Sequence, residues 1–95
     1  KFGGHANKHM AEFGLDVTSA ADRDRYAEIT RETIDGYDLV GYDTWSGQHG
    51  DRCAFFFKGD TVTIVNLDKN VIVSTMVYEE GRNANLTRIR NSLRD

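Results

Sequence analysis

Hydrophobic positions change period once along this chain, and the change divides it in two. Up to Gly36 apolar side chains recur at helical spacing; beyond it they alternate or run together as in strands. At about 100° per residue, Phe2, Ala6, Met10 and Phe13 share one arc near the start. His5, Lys8, His9 and Glu12 share the neighbouring arc. This spacing predicts a first helix over residues 4–13, stopped by Gly14, since glycine takes the left-handed position after a helix without a Cβ penalty. Ser19-Ala20-Ala21-Asp22 reads as a capping-box variant with Asp where Glu is usual. From there Tyr26, Ile29, Thr30, Thr33, Ile34 and Tyr37 fall on one face. Asp24, Glu28, Arg31, Glu32 and Asp35 fall on the other, so an amphipathic second helix runs to Gly36.

The second half reads as four strands, over residues 38–45, 52–58, 61–66 and 71–78. A turn-rich loop joins the first two. Gly59-Asp60 makes a two-residue hairpin of the type II′ kind, and residues 67–70 turn the chain again. The second strand is apolar almost throughout, which makes it central. Residues 85–93 form a short final helix. Short connections force antiparallel neighbours, and a meander of this size needs helices to close a core. The expected fold is therefore α+β: two N-terminal helices packed on one face of a four-stranded antiparallel sheet, followed by the short C-terminal helix.

A chain of 95 residues makes one domain, residues 1–95. No apolar run approaches the roughly 20 residues of a membrane span, so no membrane contact is expected of this domain. A start at Lys1 suggests a fragment of a larger parent. The net charge of −3 argues against nucleic-acid binding by bulk electrostatics. Arg82, Arg88, Arg90 and Arg94, however, gather a local basic patch near the end, or line a solvated helix face. Cys53 is the one cysteine and lies in Cys53-Ala54-Phe55-Phe56-Phe57, which reads as a buried inert thiol. His5 and His9 have the spacing to share a metal, but with only His49 besides them and no HExxH or CxxC, no metal and no cofactor is expected.

Candidate chemistry gathers in two places. His5, Lys8, His9 and Glu12 put two imidazoles, an ammonium and a carboxylate together, a set suited to proton transfer beside an anion. As commonly, histidines on an amphipathic helix are boundary residues. The late strand carries Ser74 and Thr75, one hydroxyl on each face; such residues are also ordinary in strands. Arg52 opens the central strand as a phosphate contact or a surface charge.

Lys8-His9-Met10-Ala11-Glu12-Phe13-Gly14 resembles the Lys-His-x-x-Asp/Glu-Phe-Gly signature of the colicin D-like tRNA nucleases. Val73-Ser74-Thr75-Met76 is similar to that family's late-strand Ile-Ser-x-aromatic segment, and the order of elements resembles the wider barnase/EndoU/colicin/RelE nuclease fold. That superfamily supplies C-terminal toxin domains of contact-dependent growth inhibition proteins and related polymorphic toxins. The resemblance implies a metal-independent ribonuclease toxin, a hydrolase of bacterial competition. It would cleave tRNA in or near the anticodon loop and leave a 2′,3′-cyclic phosphate. Such a domain is secreted or displayed at the cell surface within a larger toxin and acts in the cytoplasm of the target cell. The partners implied are tRNA, a cognate immunity protein and, in some cases, a host translation factor.

The family's catalytic histidine falls on His9, its adjacent lysine on Lys8 and its late-strand serine on Ser74. A further family lysine would fall on Ala6, and the aromatic after the serine is Met76 here; His5, one turn before His9, is the candidate second proton carrier. Thr75 joins Ser74 as a hydroxyl donor to the phosphate. Arg52 and Arg82 are candidate substrate contacts, and Trp45 and Tyr78 offer faces for an unpaired base. The competing reading is a non-enzymatic α+β module binding protein or RNA, which the negative net charge favours. A deaminase on a similar scaffold would lack its zinc ligands.

Overall fold

The computed structural model describes residues 6–93, with side chains from His9 onward. Ala6–Phe13 winds as a 3₁₀ helix, where the sequence period predicts an α-helix. An isolated α-helical segment this short is marginal, and its packing decides its form: it lies chiefly against the last strand. Three residues per turn put i and i+3 in line. Met10 and Phe13 make the inward ridge beside Tyr26 and Leu15, while His9 and Glu12 form the next ridge. Gly14 ends the turn at φ +73, as expected.

Helix α1 spans Ala20–Asp35, with Ser19 as its N-cap. The Asp22 N–H donates to Ser19 Oγ at 3.2 Å, which is one half of the predicted capping box. The other half is absent. Asp22 Oδ2 accepts instead from the Asp16 N–H at 2.8 Å, and the Ser19 N–H is already engaged by Asp16 O.

Four strands follow as a meander in the order β1-β2-β3-β4, all antiparallel: β1 Leu39–Asp43, β2 Cys53–Lys58, β3 Thr61–Asn66 and β4 Val71–Val77. Positive φ at Gly59, and not at Asp60, is what the type II′ hairpin between β2 and β3 requires. The pairing of Ile64 with Ser74 and of Val65 with Ile72 leaves Val73 as an extra residue, a β-bulge. The bulge breaks strict alternation, so Val73 packs against the cluster that holds Phe55, Ile64 and Met76 and leaves the side shared by Thr75 and Val77. Helix α2, Ala84–Ser92, closes the chain.

The expectation of two N-terminal helices on one sheet face is wrong. Among the described residues helix α1 is the one α-helix of the N-terminal part, and α2 covers the opposite face. Phe55, Phe57, Val62, Ile64, Met76 and Tyr78 form one cluster with Leu86 and Ile89 of α2. On the other face Thr30 of α1 meets Thr75 at 2.6 Å, and Thr75 meets Thr63 at 2.8 Å. The reason lies in β2. Cys53, Ala54, Phe55 and Phe57 are all buried, so apolar side chains leave both faces of a central strand, and each face needs a cover. Burying a phenylalanine fully is worth roughly 1.5–3 kcal/mol. Gly41 lets α2 come close, because a Cβ there would lie 3.0 Å from the Leu93 side chain. Cys53 is fully buried. Among the described residues no helix is long and apolar enough to cross a membrane.

Candidate active site

The 3₁₀ helix, the end of β4 and the start of α2 enclose a cleft of about 150 Å³. His9 and Glu12 line it from one side, Met76, Val77 and Tyr78 from the strand, and Arg82 and Leu86 from the far side. His9 Nδ1 is 2.6 Å from Glu12 Oε2. A carboxylate has only lone pairs to offer, so the imidazole donates from Nδ1. Glu12 Oε1 accepts from the backbone N–H of Val77 at 2.9 Å. His9 and Glu12 side chains retain 20% and 25% of their exposure, which leaves the pair shielded but reachable. His9 Nε2 has no hydrogen-bond partner among the described residues.

The far wall is built by a tight turn after β4. Arg82 pairs with Glu79 at 3.0 Å, and the Gly81 N–H donates to Thr87 Oγ1 at 2.9 Å. Asn83 caps α2 by accepting from the Asn85 and Leu86 N–H groups. Tyr78 packs edge-on against Phe57 with centroids 5.6 Å apart. The Arg90 guanidinium lies 5.7 Å from the Tyr78 ring centroid and 5.5 Å from that of Phe57, near enough for cation–π attraction. The Tyr78 hydroxyl and Arg90 Nε are buried without hydrogen-bond partners among the described residues. Each carboxylate of the cleft has a cation or imidazole beside it: Glu12 has His9, and Glu79 has Arg82.

Of the residues singled out from sequence for chemistry, His9, Glu12, Tyr78 and Arg82 line this one cleft. Lys8 sits in the 3₁₀ helix, with its side chain outside what the structure describes, and His5 lies outside the described residues altogether. Ser74 and Thr75 are in the interior and do not line the cleft. Thr75 Oγ1 bonds Thr30 and Thr63, while the Ser74 hydroxyl is buried beside the Tyr26 hydroxyl. Arg52 and Trp45 lie elsewhere. Arg52 grips Asp68 through Nε at 2.9 Å, Nη2 at 2.7 Å and its backbone N–H. It borders a separate shallow depression with Tyr42 and Leu67. Trp45 is partly buried, edge-on against Phe55.

The bond from Glu12 to Val77 spans 65 residues of sequence and leaves no local signal. Glu12 itself was legible on the arc of His9. Among the described residues no three His, Cys, Asp or Glu side chains stand close enough to share a metal ion. The comparisons with known proteins give no match: no family model, no curated protein and no solved structure matches the chain.

Proposed function

We propose that this chain is a metal-independent endoribonuclease with His9 as its proton-transfer residue. The observation that carries the reading is the His9–Glu12 pair opening onto a cleft that also holds Arg82 and Tyr78. In the reaction the ribose 2′-oxygen attacks the neighbouring phosphorus and the bond from phosphorus to the 5′-oxygen breaks. His9 Nε2 takes the 2′ proton. The departing 5′-oxygen takes a proton from an acid, the role the sequence offers to His5. The guanidinium of Arg82 neutralises the phosphate, released from Glu79 or shared with it. The products are a 2′,3′-cyclic phosphate and a 5′-hydroxyl.

The substrate we propose is tRNA, cut in or near the anticodon loop, and the setting is a toxin module acting in the cytoplasm of a target bacterium. A cognate immunity protein would neutralise it. The support for these finer points is the Lys8–Gly14 resemblance to the colicin D-like signature. The test is incubation of purified protein with total tRNA in EDTA, followed by end-mapping. Discrete fragments ending in a cyclic phosphate are expected. Intact tRNA at high protein concentration would overturn the reading and favour the second one, a non-enzymatic binding module, which draws support from the net charge of −3 and from Glu12 and Glu79 in the cleft.

A further inference from the structure

We infer that Glu12 is the positioning residue of this site, a carboxylate that fixes both the proton-bearing nitrogen of His9 and the seat of the imidazole on the sheet; the inference rests on the nuclease reading. Its two oxygens do different work. Oε2 accepts a hydrogen bond from His9 Nδ1–H at 2.6 Å, and Oε1 accepts one from the Val77 N–H at 2.9 Å. The first bond is short and charge-assisted, the stronger kind. It holds the neutral ring with its proton on Nδ1 and its lone pair on Nε2, the form a base needs. The second anchors the same carboxylate to the edge strand of the sheet, where backbone donors point away from β3.

The local backbone makes this double grip fit. In a 3₁₀ turn His9 and Glu12 stand in line, one above the other, whereas an α-helix would rotate them about 60° apart. Gly14 at φ +73 then turns the chain away, and the Leu15 N–H closes on Met10 O at 3.1 Å. Met10 buries completely on the adjoining ridge. The imidazole is thereby held between a buried ridge and a strand edge, and a carboxylate joins it to that edge. Were Glu12 only a cap for the Val77 N–H, one oxygen would suffice and the direction of the imidazole would be free.

The test reads the tautomer of His9 by ¹⁵N NMR at about pH 8.5, where an ordinary imidazole is neutral, together with steady-state tRNA cleavage. Wild-type protein is expected to carry the proton on Nδ1, and Glu12→Gln to shift it toward Nε2. The same substitution should lower kcat at least about 100-fold with KM changed less than about threefold, the pattern of a group acting in the chemical step. Wild-type His9 protonated on Nε2 overturns the inference without need of any variant. So does a Glu12→Gln protein with wild-type kcat and tautomer. If wild-type protein leaves tRNA intact, the nuclease reading falls, and the two tautomers still decide whether Glu12 orients the ring.

Discussion

The Tyr26 hydroxyl holds both backbone polar groups of Thr75, donating to Thr75 O at 2.5 Å and accepting from the Thr75 N–H at 3.1 Å. An edge strand offers a row of such groups to any other chain. Here α1 closes two of them through Tyr26, and Glu12 closes the next through Val77. The same contacts fix α1, β4 and the 3₁₀ helix in one arrangement, so the walls of the His9 cleft are tied to the core. Burial raises the Tyr26 phenol above its ordinary titration range, against the lowering effect of the Thr75 bond, which keeps it a donor.

Removing that hydroxyl takes the partner from the buried N–H and C=O of Thr75. Tyr26→Phe should cost about 1–3 kcal/mol of folding stability, read as a lower midpoint in urea with an unchanged slope. A loss below about 0.5 kcal/mol would show that the Thr75 groups find other partners.

Cys53 is fully buried in the cluster beneath α2, and burial first, then the charges of Asp51 and Asp68, push its thiol up. Thiolate is the reactive form. The folded protein should resist iodoacetamide at about pH 8, and protein unfolded in urea should react at the rate of a free cysteine. Rapid labelling of the folded form would show that this strand opens.

Three carboxyls at the opposite end of the sheet are held below their usual range. Asp68 is lowered by Arg52, Asp51 by Lys69 and Asn66, and Asp43 by the Thr44 N–H and then by Arg88. A depressed folded value means that the unfolded chain takes up protons first. The stabilisation is therefore complete above the unfolded value of about 4 and is lost as pH falls through the folded values. The melting temperature should hold between about pH 7 and pH 5 and drop below about pH 4. Asp68→Asn should flatten the drop. A melting temperature that rises on acidification from about pH 5 to pH 3 would contradict this.

Much of the fold could be read from local signals. Ser19, Gly59 and Asn83 each act through the residues beside them, and the first two gave a helix start and a hairpin that the structure contains. The strands were legible because their period changes at Gly36. The placement of the helices was not. The run Cys53–Phe57 already demanded cover on two faces, but a hydrophobic pattern says that a face is buried and not which element buries it. The bulge at Val73 is likewise invisible, since a single extra residue leaves the local pattern of valines intact. For the cleft, His9, Glu12, Tyr78 and Arg82 were legible as residue types. Their meeting in one cleft depends on the long-range docking of the 3₁₀ helix against β4, and Thr75 is taken into the interior by the packing of α1 on the sheet.

The proposed cleavage of RNA by proton transfer through His9 stands or falls with His9→Ala assayed on end-labelled tRNA in EDTA. Wild-type protein should give discrete fragments. The variant should give none within the range of the assay, while thermal unfolding shows a folded protein destabilised by only about 1 kcal/mol. A folded His9→Ala protein that cleaves tRNA at the wild-type rate would rule out His9 as the proton-transfer residue.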